Sequence, residues 1–161
     1  MGGIRRIGYA LAVVACVGAV LAATAYAAVE ARLAGPFHVR VTVLSGNIQT
    51  PGSHFIRKWR FEPICPSGPC ERVRLHRQLP GGHGSAKSIL HRTGPGRYKG
   101  TERMRVTCGG ETGHQVSRVR LRITKRQDGQ ARKFRGRGRL RVFGCGGHLV
   151  DRAKFQGRSL R

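Results

Sequence analysis

At 161 residues, 39% apolar and only 6% aromatic, the chain has room for one ordinary domain with a core built mainly from Val, Leu and Ile. Its 31 Lys and Arg against 7 Asp and Glu exclude an acidic surface and leave few carboxylates for acid–base chemistry. Its 24 glycines suit an all-β chain rich in turns better than a helical one.

The chain opens with Arg5 and Arg6 ahead of an uncharged run from Ile7 to Val29 that ends at Glu30. A charged start, an apolar stretch and small residues at its end describe a secretory signal, with Ala25-Tyr26-Ala27 as a cleavage site before Ala28. An uncleaved helical anchor is the other reading, because about twenty apolar residues can span a bilayer. Val13-Val14-Ala15-Cys16 resembles a lipobox, but the chain stays apolar after Cys16, where a lipoprotein turns polar. Arg5-Arg6 lacks the flanking residues of a twin-arginine signal. Each version places the remainder outside the cytoplasm, either secreted or anchored to the membrane. Residues 1–29 are thus a signal peptide or membrane anchor, 30–36 a linker and 37–161 an extracytoplasmic β domain. With Arg5 and Arg6 the only charges before Glu30, the exported part keeps 29 basic residues against 7 acidic ones, a net of +22.

Beyond Glu30 the hydrophobic period is 2. Phe37, Val39, Val41 and Val43 alternate with His38, Arg40 and Thr42, and residues 46–54 are turn-rich. Trp59 and Phe61 alternate with Lys58, Arg60 and Glu62; Val73 and Leu75 alternate with Arg72, Arg74 and His76. A Gly-rich loop over 80–84 precedes a short strand around Ile89 and Leu90, and Gly94-Pro95-Gly96 makes a turn. A strand over 98–106 then reaches the Gly109-Gly110 break. Val119, Leu121 and Ile123 alternate with Arg118, Arg120 and Arg122 before the Asp128-Gly129 turn signal. Phe134, Gly136, Gly138, Leu140 and Val142 alternate with Lys133, Arg135, Arg137, Arg139 and Arg141, and a last strand covers 149–157.

The pattern predicts an all-β fold after an N-terminal apolar helix: an antiparallel meander of about eight strands, barrel-like, with a β-sandwich as the alternative. Tyr98-Lys99-Gly100, Phe134-Arg135-Gly136 and Phe155-Gln156-Gly157 each put a ring and a glycine on one face, which favours a closed sheet.

Four cysteines lie in the domain: Cys65, Cys70, Cys108 and Cys145. Two disulfides are expected, with three possible pairings; the short loop between Cys65 and Cys70 suits a local bridge and leaves Cys108 with Cys145. A zinc site completed by His148 is the alternative, although ligands arriving as two close pairs are absent.

No catalytic motif or metal-binding spacing is present, and no cofactor is expected. Glu102 shares parity with Tyr98, Gly100 and Met104, so it is either an inward catalytic carboxylate or the partner of an inward Arg. The Arg135–Arg139 tract reads either as a nucleic-acid-binding Arg-Gly run or as a strand with glycines inward; the apolar Leu140, Val142 and Phe143 that follow favour the strand.

The segment Trp59-Arg60-Phe61-Glu62-Pro63-Ile64-Cys65-Pro66-Ser67-Gly68-Pro69-Cys70, with Tyr98-Lys99-Gly100 and further single cysteines, resembles small secreted or membrane-anchored proteins of actinobacteria, themselves uncharacterised. The resemblance covers roughly 37 to the C-terminus and implies bacterial export and a disulfide-bearing β domain. The heavy Arg content departs from that pattern. The functional expectation is a non-catalytic envelope or extracellular module. Its candidate contacts with anionic polymers or lipid headgroups are Arg118, Arg120, Arg122, Arg135, Arg137, Arg139 and Arg141. A small barrel enclosing an apolar ligand is the alternative.

Overall fold

The computed structural model describes residues 30–78, 85–147 and 149–160. The expected apolar helix with Cys16, the loop over 80–84 and His148 lie outside the described residues. Eight antiparallel strands follow one another: β1 Gly35–Gly46, β2 His54–Pro63, β3 Arg72–Gln78, β4 Ser85–Gly94, β5 Arg97–Cys108, β6 Glu111–Gln127, β7 Gln130–Phe143 and β8 Leu149–Ser159. Each pairs with the next, and β8 pairs with β1, so the sheet closes into an up-and-down barrel rather than a sandwich. No helix occurs among the described residues.

The turns follow from their residues. Gly109 and Gly110 (φ 58° and 91°) join β5 to β6, and Asp128 and Gly129 (φ 51° and 70°) join β6 to β7. Positive φ at both central residues gives the turn twist that matches two right-twisted strands.

Inward residues from all eight strands build an apolar core. Phe37, Trp59, Phe61, Phe134 and Phe155 pack mostly edge-to-face with ring centroids 5.1–6.3 Å apart, surrounded by Leu75, Leu90, Tyr98, Leu121 and Ile123. Room for these rings comes from inward glycines. The Phe134 ring lies against Gly157 and the Phe155 ring against Gly138. On β7 and β8 the aromatic–glycine spacing thus works across strands, the ring of one strand covering the bare backbone of the next, whereas Gly100 of β5 is covered by the Leu90 side chain.

Residues 30–36, expected to link the apolar segment to the domain, lie against the barrel floor. Ala31 and Leu33 are buried. The Arg32 amide donates to the Gly129 carbonyl, and the Ala131 amide donates to that of Arg32. The Arg32 guanidinium donates to the carbonyls of Cys65 (2.9 Å) and Gly68 (3.3 Å), holding the β2–β3 loop to the same floor.

Cys65 is bridged to Cys70 within that loop, and Cys108 to Cys145 at the far end, where the β5–β6 hairpin meets the β7–β8 loop. The local pairing and its complement are therefore those suggested by loop length, and they leave no thiolate of the four for zinc. The Cys108–Cys145 bridge spans 37 positions and contributes about 3–4 kcal/mol in the chain-entropy picture.

The ring-over-glycine packing has a direct test. A β-carbon on Gly157 collides with the Phe134 ring, so Gly157→Ala is expected to destabilise the barrel by about 1–3 kcal/mol. A lowered urea midpoint with unchanged slope checks it.

Candidate functional site

Strand alternation sends every second residue of β5 to β8 outward, and most of those positions hold Arg or Lys. The register then lines them up across strands. Lys99 of β5 opposes Arg120 of β6, which opposes Arg137 of β7, which opposes Lys154 of β8. One step toward the barrel floor, Arg97, Arg122 and Arg135 form a second row. One step the other way, Thr101, Arg118, Arg139 and Arg152 form a third.

Like charges directly opposite one another on a sheet are destabilising. Among the described residues no carboxylate relieves this face. Glu62 pairs with Arg60, Arg74 and His76 on β2 and β3, and the His76 hydrogen bond is the main influence holding its carboxyl below the usual range. Glu30 and Glu71 both pair with Arg92. Glu102 and Asp151 point inward and are buried, while Glu111 and Asp128 flank or occupy hairpin turns.

The candidate residues from the sequence all fall on this face. Arg118, Arg120, Arg122, Arg135 and Arg137 are exposed, whereas Arg139 and Arg141 are half-buried. The Arg139 guanidinium is pushed below its ordinary range by burial, then by the charges of Arg141, Arg152 and Arg118, and its Nε has no partner. Arg141 lies between Val116 and Val150. Arg97, Lys99, Arg152 and Lys154 were not singled out by sequence reasoning. Their parity was visible, but only the two-residue turns and the ring-over-glycine register bring them opposite the others.

Two concavities mark the face. Arg103, Arg118, Arg139 and Arg141 surround a depression of about 130 Å³ floored by Val116 and Phe143. A larger cleft, about 770 Å³, opens in the barrel wall between β4 and β5. The ladder between these two strands runs only from Gly94–Arg97 to Leu90–Gly100, so residues 85–89 and 101–108 are not paired with each other. Lys87, His91, Lys99, Arg103 and Arg118 rim the opening, and Ser88, Glu102 and Val119 line it from within. Glu102 accepts a hydrogen bond from the Arg77 guanidinium at 2.7 Å, the partner type expected for an inward carboxylate.

The barrel interior offers less. Above the aromatic layer a cavity of about 180 Å³ remains, lined by Val41, Phe55, Trp59 and Phe155 together with Arg77, Gln115, Ser117 and Asp151. That is below the roughly 300–1,000 Å³ of small-molecule pockets, and its lining surface is mostly apolar. A membrane-spanning barrel carries apolar residues outward and polar ones inward; here the rings face in and the guanidinium groups face out.

Compared with known proteins, the chain matches no family model, no curated protein and no solved structure. The functional reading therefore rests on the site itself.

Removing one member of the central row should relieve repulsion. Arg137→Thr is expected to raise stability by about 0.5 kcal/mol at low ionic strength. Urea midpoints in low and high salt check it. The gain should shrink in high salt, where screening has already relieved the wild type.

Proposed function

We propose that the protein is a non-catalytic extracytoplasmic module that binds anionic envelope polymers or lipid headgroups through the basic outer face of β5–β8. The observation that carries this reading is the row Lys99–Arg120–Arg137–Lys154, four cations in direct cross-strand register with no acidic neighbour. A sheet that only needed solubility would intersperse the two signs. An array of one sign costs folding energy and lowers it again when an anion of regular charge spacing lies across the strands. A compositional preference for Arg accounts for the number of arginines but not for the absence of carboxylates from the outward positions of these four strands.

The remaining features fit the same reading. Two disulfides suit an oxidising compartment, and the N-terminal apolar run supplies a route to it, as a cleaved signal or as a retained anchor. The inward carboxylates have structural engagements: Glu102 with Arg77, and Asp151 with the Ile48 amide at the rim of the β1–β2 loop. Nucleic acid shares the phosphate chemistry, but the Arg135–Arg139 tract is a paired strand of the wall rather than an extended Arg-Gly arm.

Retention on anionic liposomes or on an immobilised phosphate polymer tests the proposal. Binding at low salt should be lost toward about 1 M, where the screening length falls to about 3 Å. The double reversal Arg120→Glu/Arg137→Glu should lose binding at every salt concentration. Wild-type binding unchanged between low and high salt would contradict the proposal.

A further inference from the structure

We propose that the free edge of β5, at the β4–β5 cleft, takes an extended acidic segment of a partner protein as an added strand. The partner is a polypeptide read through its backbone, so the proposal goes beyond the reading of the outer face as a polyanion site.

β5 pairs with β6 without a break from Arg97–Arg122 to Cys108–Glu111. Its other edge pairs with β4 only as far as Gly100. Residues 101–108 are therefore strand with a neighbour on one side only, and so are residues 85–89 of β4, which pair with β3. The cleft of about 770 Å³ separates the two edges and is lined by Lys87, Ser88 and Ile89 from one and by Thr101, Glu102 and Arg103 from the other. Alternate residues of a strand turn their N–H and C=O groups toward each neighbour, so an unpaired edge is a template for a further strand. No proline and no register shift interrupts 101–108. The outward Thr101, Arg103, Arg105 and Thr107 are exposed, leaving this edge open to solvent.

The charge around the edge selects what it accepts. Lys87, Lys99, Arg103 and Arg105 are exposed, and none forms a salt bridge among the described residues. Glu102 is turned inward to Arg77 and does not offset them. Cations along an edge repel a second edge of the same sign, so another copy of this chain is turned away. A strand with acidic outward side chains is attracted by the same cations and gains the backbone ladder as well. A phosphate polymer matches the charge but offers no ladder. Strand addition sets the partner's side chains alternately outward, beside Arg103 and Arg105, and inward, beside Glu102, Met104 and Val106. The segment that fits alternates Glu or Asp with small or apolar uncharged residues.

The test uses the full chain at low salt with a capped, alternating Glu-Val peptide of about eight residues, within the usual strand length. Only alternate N–H groups of an added strand face β5, so two further peptides carry N-methyl groups on either the Glu or the Val positions. One should bind like the parent and the other at least about tenfold more weakly, the effect of one or two backbone hydrogen bonds. Amide hydrogen exchange within 101–107 should slow when the parent peptide binds. Arg103→Glu/Arg105→Glu changes only exposed side chains; it should bind the Glu-Val peptide at least about tenfold more weakly, and a Lys-Val peptide more tightly, than the wild type does. Equal effects of the two N-methyl patterns overturn the inference, because charge without pairing treats them alike. Exchange unchanged within 101–107, or unchanged peptide preference in the reversed variant, overturns it too. Failure of the wild type to bind the Glu-Val peptide while it retains a phosphate polymer overturns strand addition and leaves the basic face as a polyanion site; failure to bind either overturns both.

Discussion

The contact between aromatic rings and inward glycines on β7 and β8 fixes the register on which the rest of the molecule depends. Phe134 opposes Gly157 and Gly136 opposes Phe155, so each ring lies over backbone that has no β-carbon. A slip of one residue would turn the rings to solvent and the guanidinium groups into the core, which a closed barrel cannot accommodate. The register that seats the rings is also the one that sets Arg137 opposite Lys154. Packing inside and charge outside are consequences of a single alignment.

That alignment has a cost, and the cost points to function. Carboxylates could have been placed on the outward positions of β5 to β8 without disturbing any buried contact. They lie elsewhere instead: Glu62 clasps β2 to β3, Glu30 and Glu71 converge on Arg92, and Glu102 and Asp151 are inside. On β2 to β4 several cations are paired with carboxylates, whereas on β5 to β8 they are left to repel. The half-buried Arg139, its guanidinium pushed down by burial and by three neighbouring Arg charges, feels that repulsion.

Much of this was legible in the sequence because a period of 2 carries both facts at once. The alternation of Val119, Leu121 and Ile123 with arginines, and of Phe134 to Val142 with another set, gave the strands and their outward faces. Gly109-Gly110 and Asp128-Gly129 gave the turns, and the short Cys65–Cys70 loop suggested the bridge pairing. What stayed hidden was everything set by pairing between strands. Arg77 shares parity with Val73 and Leu75 and so was open to recognition as inward, but its union with Glu102 needs β3 and β5 to curve toward each other. The early end of the β4–β5 ladder leaves no mark on either strand. Nor does any local signal show that Ala31 and Leu33 close the barrel floor, because their burial depends on the β6–β7 hairpin docking beneath them.

The central claim is that one face, and not the net charge as a whole, recognises the anion. Its most direct test is a titration of the folded protein with a phosphate polymer at low salt, followed residue by residue through backbone amide NMR shifts. The account predicts changes concentrated around Lys99, Arg118, Arg120, Arg137, Arg139 and Lys154, with little change around Lys58 and Arg60 of β2. Shifts spread evenly over all eight strands, or confined to β1–β3, would contradict it.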